Sequence, residues 1–114
     1  MQSLLQQENV GSEELEMLFE ARGKGEVDFL LVDVREEYEY NDGHIKGVDL
    51  LKPTTQFQQW AHDFLTETKE KKVIFTCRTG SRSAQVQQIF RQHGHNGAIN
   101  HYGGIVTYSG IIER

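Results

Sequence analysis

The chain of 114 residues has one cysteine and one proline. It has no apolar stretch of membrane-spanning length. A lone cysteine forms no intramolecular disulfide and no multi-cysteine zinc site. It also has no resolving thiol, which excludes a self-contained dithiol redox cycle. Positive charge is in deficit: the formal net charge is −5, and nucleic-acid binding leaves a basic footprint. No nucleic-acid partner is expected. The opening "MQSLLQQENVGSEELEMLF" lacks a basic start and an apolar core, so neither a signal peptide nor a membrane partner is expected. Together with the free thiol this gives the expectation of a reducing cytoplasm. The glycines match neither GxGxxG nor the phosphate-loop GK[ST] pattern, so no nucleotide cofactor is expected. His93 and His95 form a His-x-His pair without a third ligand in reach. They are read as solvated surface with no metal.

What remains is an ordinary globular composition, 37% hydrophobic and 25% charged, in a length that fits one domain over residues 1–114. "SEELEMLFEARGKG" predicts a helix. Ser12 is its N-cap, acidic residues fill its first turn, Leu15, Leu18 and Phe19 keep helical spacing, and Gly23 marks its end. "FLLVDV" and "VIFT" are apolar runs of the kind that suits strands covered on both faces. "REEYEYNDGHIKG" is too polar for core structure, and its Asn-Asp-Gly reads as a turn. Ile45, Val48, Leu50 and Leu51 suggest a short buried passage, and Thr54 or Thr55 a cap for the following helix. Phe57, Trp60, Ala61, Phe64 and Leu65 predict a core-facing helical stripe, followed by a solvated turn at "TETKEKK". Val86, Ile89 and Phe90 share one face of a helix that stops at Gly94. "GAINHY" predicts a further strand, and "GGIVTYSGIIER" a loop with a last helical turn. Strands alternating with helices imply an α/β fold around a mainly parallel sheet.

The chemistry concentrates in "VIFTCRTGSRSAQVQQIF". A buried strand that turns through glycine into a helix presents its last side chain at the carboxyl edge of a parallel sheet, where ligands bind in open α/β folds. A helix starting near Ser81 or Arg82 aims its free N–H groups back at Cys77, and amides curled round Gly80 make an anion nest. Those amides, with Arg78 and Arg82, favour thiolate over thiol. The competing reading is a buried cysteine packed as an inert small hydrophobe.

"CRTGSRS" resembles the active-site loop of the rhodanese family of sulfurtransferases. "LLVDVREEYEYNDGHIKGV" resembles that family's upstream signature, and "YGGIVTYSG" its C-terminal one, in the family's order and spacing. Val48 is bulkier than the small residue usual there, and Tyr108 stands where tryptophan is common. The resemblance implies a rhodanese-like fold, a mainly parallel sheet of about five short strands with helices on both faces. It also implies a two-step sulfur relay through a Cys77 persulfide. A small anionic donor such as thiosulfate, or polysulfide, gives the sulfur, and a thiol or cyanide takes it. In that relay Arg78, Thr79, Gly80, Ser81 and Arg82 form the substrate loop, Arg82 also bracing it.

Cysteine-dependent phosphatases need five residues between cysteine and arginine. Only Arg78, Thr79, Gly80 and Ser81 intervene here, which speaks against phosphatase or arsenate reductase chemistry. A non-catalytic sulfur carrier or partner-binding module is the contrasting reading. Asp33 and Arg35 support the site as an ion pair holding a loop, with Glu36 or Glu39 as further partners; direct substrate contact is the alternative. His44 is read as a turn-stabilising hydrogen-bond group.

Overall fold

The apolar runs become neighbouring strands in the computed structural model, which describes residues 1–114. Five parallel strands form one sheet: Asn9–Val10 (β1), Leu30–Asp33 (β2), Leu50–Leu51 (β4), Val73–Thr76 (β5) and Ala98–His101 (β6). They lie in the order β1-β6-β5-β2-β4. The two most apolar runs sit at its centre, with Val32 opposite Phe75 and Asp33 opposite Thr76. A separate two-stranded antiparallel ribbon pairs His44–Ile45 (β3) with Ile112–Glu113 (β7).

Side chains alternate across a strand, so each central strand feeds two cores. Leu31, Ile74 and Ile99 meet Leu15, Leu18 and Ala21 of Ser12–Gly23 (α1) on one face. Val32, Phe75 and Ala98 share the other core with Trp60 and Phe64 of Phe57–Thr68 (α3) and Val86 and Phe90 of Ser81–Gln92 (α4). Phe75 and Phe90 meet edge-on with ring centroids 5.0 Å apart, and Trp60 donates its indole N–H to the Pro53 carbonyl at 2.8 Å. Each buried side chain of that size is worth roughly 2 kcal/mol. The expected α/β architecture, a parallel sheet with helices on both faces, is the one observed. No helix is long and apolar enough to cross a membrane.

Several local readings change. The polar stretch after Arg35 is a short helix, Glu37–Asp42 (α2), because Glu36 caps it and Glu39 accepts the Glu36 N–H at 3.0 Å; the glycine at 43 follows its end. Gly11 rather than Ser12 is the N-cap of α1, with Glu14 accepting the Gly11 N–H at 2.8 Å. Thr54 and Thr55 lie in a 3-10 turn, and Thr55 donates to Glu36 instead of capping α3. The helix α3 continues through the buried Thr68, whose hydroxyl donates to the Phe64 carbonyl at 2.7 Å. Leu50 and Ile89 are exposed, so in the passage Ile45 is fully buried, Val48 packs half-buried against the core and Leu51 is half-buried, while the α4 stripe reduces to Val86 and Phe90. His95 is fully buried against Thr68 at 3.0 Å, not solvated surface, while His93 is exposed as expected. The chain end forms a 3-10 turn, Ile105–Thr107, and then β7.

Candidate functional site

β5 ends at Thr76, and Cys77 follows at the carboxyl edge of the sheet, directly before a turn that enters α4 at Ser81. The turn closes through Gly80, whose φ of 96° favours glycine. A Cβ at Gly80 would also lie 2.8 Å from the Gly103 nitrogen. A Cβ on Gly104 would collide with the Arg78 carbonyl oxygen, so the Gly-Gly segment lies flat against the loop.

Cys77 Sγ takes the place of a helix N-cap acceptor. It receives the Gly80 N–H at 3.1 Å, and the N–H and hydroxyl of Ser83 at 3.4 Å each. The residue is fully buried and belongs to the apolar cluster beneath α3 and α4. Burial alone would raise the thiol pKa. The Ser83 hydroxyl and the amides of Ser83, Gly80 and Thr79 together outweigh it and hold the pKa below its ordinary value. Both readings of the cysteine therefore describe part of it: an apolar setting for the residue and a polar cradle for its sulfur.

Arg78 and Thr79 are exposed, and Arg78 makes no ion pair. Ser81 is exposed, its hydroxyl 3.5 Å from that of Thr79. Arg82 is half-buried and forks onto Glu39 at 2.7 and 3.0 Å, which ties α4 to α2. That pair lowers the Glu39 pKa to about 2 and raises that of Arg82. Arg82 is thus a brace whose charge is already neutralised, and Arg78 is the cation left free.

Asp33 and Arg35 form a buried ion pair, Nη2 to Oδ2 at 2.9 Å, and Arg35 also donates to the Gly43 carbonyl at 2.7 Å. Their partners are each other and that backbone, not Glu36 or Glu39. Arg35 borders a groove of about 660 Å³ that Arg78, Tyr38, Ile105 and Val106 also line. His44 bonds the Tyr40 carbonyl at 2.9 Å and stacks on its ring, as a turn-stabilising group would.

Ser83, Asn100 and the 105–106 amides were not anticipated as parts of the site. Asn100 Nδ2 donates to the Gly80 carbonyl at 3.3 Å. Ile105 and Val106 donate their N–H groups to the carbonyls of Cys77 and Arg78 at 2.9 and 3.1 Å. The signal for Ser83 was present: with a helix starting at Ser81, its amide is the last of the free N-terminal donors.

The description "Rhodanese-like domain" belongs to the family model that matches residues 14–110. Among curated proteins the chain is similar to tRNA uridine(34) hydroxylase of Hamiltonella defensa, 36% identical over 84 residues, 71% of this chain and 23% of that protein. The Acinetobacter baylyi protein of the same name is 34% identical over 83 residues, 71% of this chain and 26% of its own length. The chain therefore spans about a quarter of the length of these relatives. Among solved structures, the human single-domain sulfurtransferase TSTD1 aligns with a TM-score of 0.68 at 27% identity, covering 89% of this chain and 94% of its own. A Staphylococcus saprophyticus protein aligns at 0.72, also 27% identical, covering 95% and 100%. The family match runs from the first helix to the last glycine turn with the Cys77 loop inside it, and the chain belongs to the rhodanese-like domain family.

Proposed function

We propose that the chain transfers sulfane sulfur through a persulfide on Cys77. The observation that carries this reading is the sulfur cradle: three donors within 3.4 Å of Sγ, with the thiol pKa held down despite burial. The Cys77 thiolate attacks the outer sulfur of a donor such as thiosulfate. A new S–S bond forms, the donor's S–S bond breaks, and sulfite leaves with the bonding electron pair. An acceptor thiolate then attacks the outer sulfur of the persulfide and regenerates the Cys77 thiolate. Both anionic states of the cysteine use the same preset amides, so the cradle need not reorganise between the half-reactions. The interval of four residues between Cys77 and Arg82 suits a single sulfur atom better than a tetrahedral phosphate, and the exposed Arg78 supplies charge that draws an anionic donor. The likeness to a named sulfurtransferase supports the same reading.

Intact-mass measurement after thiosulfate or polysulfide treatment tests it. One added sulfur atom is expected on the wild-type chain and none on Cys77→Ala. No gain with either reagent would overturn the proposal.

The similarity to the hydroxylases favours a second reading, a module that serves a larger reaction without transferring sulfur itself. Absent persulfide together with retained binding of a protein partner would select it. Turnover with cyanide or a thiol acceptor separates a transferase from a sulfur carrier.

A further inference from the structure

His101 takes no part in the relay, yet it touches the strand residue directly before Cys77. It follows Asn100, which pairs with Phe75, and its ring lies against Thr76 of β5 on one side and Ser12 of α1 on the other. The imidazole is fully buried, and each ring nitrogen has a hydroxyl partner: Nδ1 lies 2.8 Å from Thr76 Oγ1, and Nε2 2.8 Å from Ser12 Oγ. Ser12 Oγ in turn lies 2.8 Å from Thr107 Oγ1, which donates to the Gly104 carbonyl at 2.9 Å.

A hydroxyl has one proton to give, and that fixes the direction of the whole chain. Thr107 spends its proton on Gly104, so it accepts from Ser12. Ser12 then accepts from His101 Nε2–H, which leaves Nδ1 to accept from Thr76. The reverse order would need Thr76 to donate to the Cys77 carbonyl at 3.4 Å, against 2.9 Å for Thr107 to the Gly104 carbonyl. The shorter terminal bond decides the order.

We infer that His101, as the neutral Nε2–H tautomer, is a positioning residue that clamps the 103–108 turn to the end of β5 and so sets the acidity of Cys77. The link is peptide planarity. The turn's amides hold the carbonyls of Cys77 and Arg78. Across a trans peptide the next N–H points the opposite way, so holding the Arg78 carbonyl fixes the Thr79 peptide and with it the loop that brings the Gly80 N–H to Sγ at 3.1 Å. Burial keeps the ring neutral by lowering its pKa to about 4, and Tyr108 meets it edge-on with centroids 6.3 Å apart.

The inference rests on the role given to Cys77 above, and its test is independent of sulfur transfer. Nitrogen NMR of the wild-type imidazole should show a protonated Nε2 and a bare Nδ1; the opposite tautomer would overturn the ordering. The single cysteine allows thiolate absorbance to be titrated with the Cys77→Ala trace subtracted. His101→Leu should lower the thiolate fraction below the titration midpoint by about fivefold, the worth of one net hydrogen bond. His101→Gln, which offers both a donor and an acceptor, should recover most of it. Ser12→Ala and Thr107→Val break the chain outside the core and should move the curve the same way, which keeps the test open if His101→Leu fails to fold. Unmoved curves in the folded variants, or a glutamine variant no better than leucine, would overturn the inference. A wild-type chain that titrates as expected but forms no persulfide would instead overturn only the relay.

Discussion

Burial in an apolar cluster opposes a charge on Cys77, while the Ser83 hydroxyl and the surrounding amides favour it, and the donors win. Ser83→Ala removes the side-chain contribution and leaves the amides. Its thiol pKa should rise, and alkylation of Cys77 at neutral pH should slow by roughly fivefold. An unchanged pH profile would show that the backbone suffices. Arg78 is exposed and free of ion pairs, so Arg78→Ala should weaken the apparent affinity for thiosulfate and leave reaction with a neutral sulfur donor nearly intact. Equal losses with both donors would remove that role. The cysteine, the glycine turn and the two arginines were legible in sequence because they are contiguous. Thr79 and Ser81 of the substrate loop are the hydroxyl residues nearer to Cys77 in sequence. Helical geometry instead turns the third residue of α4 back towards the sulfur and leaves those two exposed.

At the scale of elements, α2 and α4 are joined over the site by Glu39 and Arg82. Glu39 has its pKa lowered from 4.5 to about 2, so the pair stabilises the fold above the unfolded value and is lost as pH falls towards the folded one. Glu39→Gln should cost about 1–2 kcal/mol at neutral pH, since Arg82 remains partly solvated, and much less in strong acid. Urea denaturation at the two pH values checks this; equal losses at both would point to packing. The strands at 73–76 and 98–101 and the helices α1, α3 and α4 follow from short-range periodicity. The helix α2 does not, because it buries no residue and is held by end-capping and by Arg82.

For the whole molecule, the buried histidines set the response to mild acid. An unfolded chain protonates His101 near 6.5 and the folded chain only near 4, so between those values acid favours unfolding. Stability should fall by roughly 3 kcal/mol across that window. His95, also lowered by burial, acts in the same direction. Denaturation curves of the wild type and His101→Gln, taken through the window, should converge as pH drops. Parallel curves would assign the acid sensitivity elsewhere.

The order of the central strands and of the three long helices, and the placing of a lone cysteine before a glycine turn and a helix start, are properties of the sequence itself. Each depends on residues a few positions apart, and hydrophobic spacing records them. Tertiary structure alone decided that Arg82 faces a glutamate 43 residues away and that Ser12 meets His101 across 89. It also decided that the chain end pairs with β3 and that His95 lies inside. Polar partners carry no periodic mark in a sequence, so only the folded packing of distant segments selects them.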